Sequence, residues 1–415
     1  MTSNEAQDQL SFRRLAALLL GVGLVFSVPF AFFPKNSAIS SVAFLLVAMV
    51  LMRSGLLTPL KHSDVLMHGI AVAAAMALFI YHSFDPLYFK FMTALILSFL
   101  LTVADSRILM LLQKWIIYLG SRGAILAICS FIVYFALGMT PFYRTELADG
   151  RSLPFFGLTN INFGFENPEL LIFARPAFLF DEPGQFAHFI LLVLALIGVS
   201  SPSLRKEYRL EIILLAISGI ATFSLAFISI AVIYLLAQST RWKTWLLIGA
   251  LASTAWIFSQ NPLLQTLFSR FGSSDSGSEP RLIAGDNRSR EVALAYDAFK
   301  GNPIWGAGWT HADETVGHFA ANPLGPLGYS GLMAILMYMP LVARLLRCIK
   351  AVSDRHQLLV VLLVSVFFAQ RPYFYFPVFM FLLEVMYRRL AGDEFTENYR
   401  SDIPYQAVET CPGTG

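Results

Sequence analysis

The sequence predicts an all-α polytopic membrane protein with about twelve transmembrane segments and two large external loops carrying short helices. Three observations point there. Hydrophobic residues make up 56% of the chain and charged ones only 14%, against roughly 45–50% and about 25% in soluble domains. The mean hydropathy of +0.63 agrees. The apolar residues fall into runs that approach the roughly 20 helical positions needed to cross a bilayer core, with basic residues clustered between the runs. The net charge of +3 is small. Its lysines and arginines lack aromatic interleaving, so no nucleic acid is expected as a partner.

In chain order, residues 1–14 are polar and end in Arg13 and Arg14, with no small-residue cleavage site after the first apolar run. They read as a cytoplasmic tail before an uncleaved span. Runs at 15–33, 39–52, 65–81, 87–103 and 124–140 make a five-span bundle over 15–140. Between the last two, residues 107–122 are apolar but punctuated by Lys114, which suggests a separate interfacial helix. A first large periplasmic loop covers 141–185. Spans resume over 186–259, with clear runs at 186–200 and 244–259. The stretch 210–238 is too long for one span and has Arg205, Lys206 and Arg209 before it and Arg241 and Lys243 after it. Basic flanks on both sides imply a hairpin of two short helices, split near 222–224. The second large periplasmic loop is 260–323. Spans over 324–387 follow: one at 324–343 and a second hairpin over 358–387, broken at Gln370-Arg371-Pro372. Residues 388–415 form a second cytoplasmic tail.

This topology puts 19 of the 30 lysines and arginines on the cytoplasmic side, the bias that orients membrane proteins. It leaves unexplained the arginines of the external loops. Of the three cysteines, Cys129 lies in an apolar run, Cys348 in a basic segment and Cys411 in the tail. None can pair within the external loops, so a disulfide framework is excluded there. No inverted internal repeat of the transporter kind is visible.

The first loop ends on Arg175, then Asp181-Glu182-Pro183-Gly184, with His188 just inside the next span. Acids before a proline-started helix suit helix capping. A carboxylate beside an arginine at the membrane lip equally suits orienting that arginine or accepting a proton from a sugar hydroxyl. His188 reads as a packed polar residue or a ligand. In the second loop Ser289 is a plausible N-cap, residues 292, 295, 296 and 299 form an apolar stripe, and Gly301-Asn302-Pro303 is a stop. Arg290 then falls in the first turn, unfavourable for a cation by about 0.3–1 kcal/mol unless an anion binds there. With Arg288 beside it, the arrangement suits a phosphate or diphosphate, or a surface salt bridge to Asp286 or Glu291. The turn Trp305-Gly306-Ala307-Gly308-Trp309 lets backbone approach something closely. His311 and His318 flank Asp313 and Glu314 without a third well-placed ligand, so no metal and no cofactor is expected. A histidine at the membrane surface remains a candidate general base, His318 better placed than His311.

These residues carry a resemblance. Arg175 with Phe180-Asp181-Glu182-Pro183-Gly184, the short-helix pair around Ala221-Thr222-Phe223-Ser224-Leu225, and the series Arg288 or Arg290, Asn302-Pro303-Ile304-Trp305-Gly306-Ala307-Gly308, His318, Gly328-Tyr329-Ser330-Gly331-Leu332 resemble the Wzy-type O-antigen and exopolysaccharide polymerases. That group is similar to the O-antigen ligases and related to class C glycosyltransferases. The residue after His318 is Phe319 where the family pattern has asparagine. The turn Pro34-Lys35-Asn36 lacks the acids of metal-dependent class C enzymes, which fits a metal-independent subgroup.

The resemblance implies an enzyme of the bacterial inner membrane, with both termini cytoplasmic, that polymerises lipid-linked oligosaccharide repeats. Its partners would be undecaprenyl-diphosphate-linked donor and acceptor glycans, the bilayer and a chain-length regulator protein. Arg175 with Arg288 or Arg290 would bind the diphosphate, and His318 or Glu182 would act as base. Asp181, Gly306, Gly308 and His311 would support the loops. The alternatives are an O-antigen ligase that transfers glycan to a lipid core or protein, and a transporter of lipid-linked glycan. The two loops are expected to converge on one cavity.

Overall fold

Backbone held in hydrocarbon must satisfy its own N–H and C=O groups, and long apolar runs do so as helices. The computed structural model describes residues 3–27, 37–59, 61–137, 140–146, 152–157, 159–163, 174–180, 182–222, 224–238, 287–315, 319, 322–370 and 376–392. The N-terminal part is α1 (Ser3–Val25), α2 (Ser37–Ser54), α3 (His62–Tyr81), α4 (Pro86–Val103) and α5 (Ser106–Leu137). A four-stranded sheet leads to α6 (Pro183–Gly198), α7 (Pro202–Glu207), α8 (Arg209–Ala221) and α9 (Leu225–Gln238). The described C-terminal part is α10 (Asn287–Gly301), α11 (Trp309–Thr315), α12 (Gly325–Ser330), α13 (Met333–Ala351), α14 (Arg355–Gln370) and α15 (Pro377–Leu390). The candidate span at 244–259 lies outside the described residues.

Among the described residues three helices are long and apolar enough to cross a membrane: α3, α4 and the Ser106–Tyr134 part of α5. Shorter apolar helices include α6 and most of α2, α9 and α14. The chain is mostly helical, in a form compatible with a membrane protein. Its surface agrees, because Leu66, Ile80, Ile96, Leu119, Leu126 and Val366 are each at least 50% exposed. Water disfavours so many exposed large apolar side chains, and lipid accommodates them.

At the centre runs α15, buried from Val378 to Met386, all apolar there except Glu384, as expected of a helix enclosed by others. It packs on α4, α5, α6 and α13, and α3 packs on α4 and α13. The chain reverses between α3 and α4 at residues 82–85, the upper end of the bundle here. Asp64 at the start of α3 and Val103 at the end of α4 mark the lower end. Between α8 and α9 the helix breaks at Thr222.

Three expectations from the sequence need correction. The first loop holds strands where short helices were expected, so the chain is not all-α. β1 (Tyr143–Glu146), β2 (Ser152–Phe156), β3 (Thr159–Phe163) and β4 (Ala174–Phe178) pair antiparallel in that order. Phe156 pairs with Thr159, and Gly157 at φ 69° opens the two-residue turn between them, a geometry that fits hairpin twist. Phe155 and Ile161 are buried. Asn160 Nδ2 donates to the Phe180 carbonyl at 2.6 Å.

Second, residues 107–122 belong to α5, a single helix of 32 residues, about 48 Å long at 1.5 Å per residue. Its glycines serve packing, not turning: a Cβ on Gly123 would stand 2.1 Å from the Phe178 ring. Third, 324–343 is not one helix. Gly331 at φ 57° separates α12 from α13, and the Leu332 amide turns away to donate to the Pro303 carbonyl at 2.8 Å.

Candidate functional site

Proline at 303 cannot continue a helix, and α10 ends at Gly301. Asn302 then builds the next turn: its carbonyl accepts the Gly306 amide at 2.8 Å and its Oδ1 the Trp305 amide at 3.4 Å. Gly306 (φ 71°) and Gly308 (φ 80°) adopt left-handed backbone. A Cβ on Gly306 would stand 2.4 Å from the Tyr329 carbonyl, and one on Gly308 would stand 2.7 Å from His82 Nδ1. What the glycine turn approaches is therefore the Gly328–Gly331 segment and His82. Ala307 N donates to the Gly328 carbonyl and Gly308 N to the Tyr329 carbonyl, both at 2.9 Å. Trp309 stacks on Tyr329 at 3.8 Å, and Trp305 on Tyr81 at 4.6 Å.

The third participant, the α3–α4 turn, was missed in reading the sequence because it is only a short connection between two spans. Its signal was Asp85 before Pro86, an N-cap before a helix-starting proline, with His82 three residues earlier. Asp85 Oδ1 accepts the Leu87 amide at 3.0 Å, capping α4, while Oδ2 accepts the Thr310 amide at 2.8 Å. His82 Nε2 donates to the Trp305 carbonyl at 3.0 Å. The Tyr88 hydroxyl donates to the Tyr329 carbonyl at 2.9 Å.

These parts enclose a pocket of about 750 Å³ at the upper end, lined by Tyr81, His82, Phe84, Asp85, Asn302, Gly306, Gly308, Thr310 and His311 among others. Aromatic faces beside a carboxylate, imidazoles and an amide can hold a polyhydroxylated ring. Among the described residues no cluster of three metal-ligating side chains occurs.

Of the residues singled out from the sequence, Gly306, Gly308 and His311 line this pocket, with His311 exposed. Arg288 and Arg290 lie in the first turn of α10, which starts at Asn287, two residues before the expected cap. Their side chains lie outside the described residues. Ala298 lines the pocket, so about 12 Å of helix axis separates it from Arg290. His318 and Asp181 lie outside the described residues.

Arg175 stands on β4, and its Nε donates to the Thr222 carbonyl at 2.6 Å. That carbonyl lies at the C-terminal end of α8, where a cation meets the negative end of the helix dipole. Glu182 occupies the N-cap position of α6, half-buried, without a side-chain capping bond. His188 is fully buried, its ring 4.4 Å from Phe379, 4.5 Å from Phe367 and 4.8 Å from Phe368. Neither Arg175 nor Glu182 lines the upper pocket. β4 packs on α5 and α6, whereas α10 packs chiefly on α12. Arg175 and Glu182 thus stand apart from the upper pocket, while the side chains of Arg288, Arg290 and His318, on which the expected single cavity turns, lie outside the described residues.

The chain matches no protein-family model, and no curated protein matches it in sequence.

Proposed function

We propose that the chain is a polytopic enzyme of the bacterial inner membrane that polymerises lipid-linked oligosaccharide repeats at the periplasmic face. On this reading it has about twelve spans with both termini cytoplasmic. The observation that carries the reading is pairwise: segments that share the polymerase resemblance also touch each other. Arg175 of the first loop is bonded to Thr222 in the short-helix pair. The 302–308 turn is bonded to residues 328–332.

In the proposed reaction Arg175, with Arg288 or Arg290, holds the diphosphate of the undecaprenyl-linked donor. A hydroxyl of the acceptor repeat attacks the donor's anomeric carbon, and a new C–O bond forms as the bond to the diphosphate oxygen breaks. His318 or Glu182 takes the hydroxyl proton, and undecaprenyl diphosphate leaves with its charge stabilised by the arginines. The upper pocket, with His82, Asp85 and His311, is suited to sugar rings of either glycan. A diphosphate leaving group needs no metal in this scheme.

The test is reconstitution. Purified protein in liposomes, supplied with synthetic undecaprenyl-diphosphate-linked repeats, is expected to release undecaprenyl diphosphate and lengthen the glycan. Release with transfer to a lipid core alone would identify a ligase, and movement of the lipid across the bilayer without bond formation would identify a transporter.

A further inference from the structure

The lower end of the bundle carries a second pocket, of about 460 Å³, within the roughly 300–1,000 Å³ range of small-ligand sites. It lies at the far end of α3 and α4 from the upper pocket, about 26 Å along α3 between residues 64 and 81. Lys61, Arg344, Arg347 and Arg388 line it, against the carboxylates of Asp64 and Glu384. Formal charge is thus positive by two.

Both carboxylates are already neutralised. Glu384 lies between Arg344 Nη2 at 2.7 Å and Arg388 Nε at 2.9 Å, and Asp64 meets Arg347 Nη2 at 2.5 Å. Arg388 is saturated, because its Nη1 donates to the Ala104 carbonyl and Ser106 Oγ and its Nη2 to the Leu101 and Thr102 carbonyls, all at 2.8–2.9 Å. The others are not. Arg344 hydrogen-bonds described residues through Nη2 alone, to Thr102 Oγ1 at 2.8 Å and to Glu384, while its guanidinium lies over the Tyr387 ring at 4.6 Å and its side chain is 9% exposed. Among the described residues, Nε and Nη1 of Arg344 and Arg347 and the Lys61 ammonium have no hydrogen-bond acceptor. These donors belong to side chains that line the pocket and are not fully enclosed. An anion with several oxygens in this pocket would satisfy them together, in the forked geometry arginine offers to phosphate.

We infer that the lower pocket is a phosphate-binding site, separate from the glycan site, whose ligand is the phosphate group of an anionic phospholipid or of a soluble phosphate. Leu66 on α3 and Val342 and Leu346 on α13 stand exposed on the helices that supply Asp64, Arg344 and Arg347. They give acyl chains an apolar surface beside the charged groups. The inference does not rest on the polymerase reading, since it uses neither external loop.

The test uses the full chain in neutral detergent. Short-chain phosphatidylglycerol, phosphatidylcholine and inorganic phosphate are each titrated against wild type and against Lys61→Gln and Lys61→Glu, with native mass and thermal stability as readouts. Lys61 is exposed, and among the described residues its side chain makes no hydrogen bond or ion pair that replacement would break. Saturable binding of phosphatidylglycerol, weakened about fivefold by Lys61→Gln as expected for loss of one cation near an anionic headgroup, and further by Lys61→Glu, supports the lipid source. The same pattern with inorganic phosphate supports the soluble one. Equal affinity for phosphatidylcholine, no saturable binding of either phosphate ligand, or binding indifferent to both variants overturns the site.

Discussion

Asp85 and Thr310, 225 positions apart, are joined by a 2.8 Å hydrogen bond from the Thr310 amide to Asp85 Oδ2. One carboxylate thus ties the second large loop to the α3–α4 turn and caps α4 through its other oxygen. Loss of both bonds in Asp85→Ala is expected to cost about 1–3 kcal/mol. Asp85→Asn keeps one carbonyl oxygen and should lose less. Thermal unfolding in detergent ranks the two, and equal loss would show that the bonds are not independent.

Gly306 and Gly301 make a matched pair, five residues apart. Gly306 has φ 71° and no room for a Cβ, whereas Gly301 has nothing within 4 Å of one. Gly306→Ala is expected to destabilise by more than about 1–3 kcal/mol, the cost of left-handed strain alone, because a backbone clash adds to it. Gly301→Ala should lie within about 0.5 kcal/mol of wild type. Unfolding midpoints of the two variants settle the contrast.

Glu384 is 4% exposed between two guanidinium groups. Removing its charge leaves Arg344 and Arg388 without the carboxylate that pairs them. Glu384→Gln is expected to cost about 3–5 kcal/mol, read as a large fall in melting temperature or loss of folded protein on size exclusion. A wild-type midpoint would mean that the cluster is more hydrated than its burial indicates.

His356, just before the apolar run that begins at Leu358, shares a 2.8 Å hydrogen bond through Nε2 with the Tyr234 hydroxyl. Burial, reinforced by nearby Arg205, lowers its pKa below the usual 6.5. The neutral ring is favoured in the folded state, so the unfolded chain binds more protons below about pH 6.5. Above that value both states are neutral and the group is silent. Stability should therefore fall as pH drops below about 6.5, and His356→Phe should reduce that fall. Melting temperatures from pH 8 to pH 5 check it, and parallel curves for the two proteins would remove His356 as a source.

The helices were legible because long apolar runs satisfy their backbone groups as helices, and the break at Thr222 was expected from the charges on both sides of 210–238. The break at Gly331 was hidden inside an apolar stretch. It exists because Leu332 N bonds the Pro303 carbonyl of the distant loop, a tertiary contact with no local signature. The sheet was missed because its pairings depend on contacts such as Asn160 with Phe180 and Phe178 with α5. In the site, Gly306, Gly308 and His311 could be read from the sequence, while His82 and Asp85 were passed over. Arg344, Glu384 and Arg388 form one network, yet in sequence the arginines served only as markers of topology.

The polymerase reading is tested most directly by polysaccharide length in cells carrying Arg175→Ala or Arg290→Ala in place of the native chain, at matched protein levels. Removing a charge that stabilises the departing diphosphate is expected to slow polymerisation roughly 10²–10³-fold. The gel should then show single lipid-linked repeats in place of a ladder. Full-length ladders from both variants would contradict it.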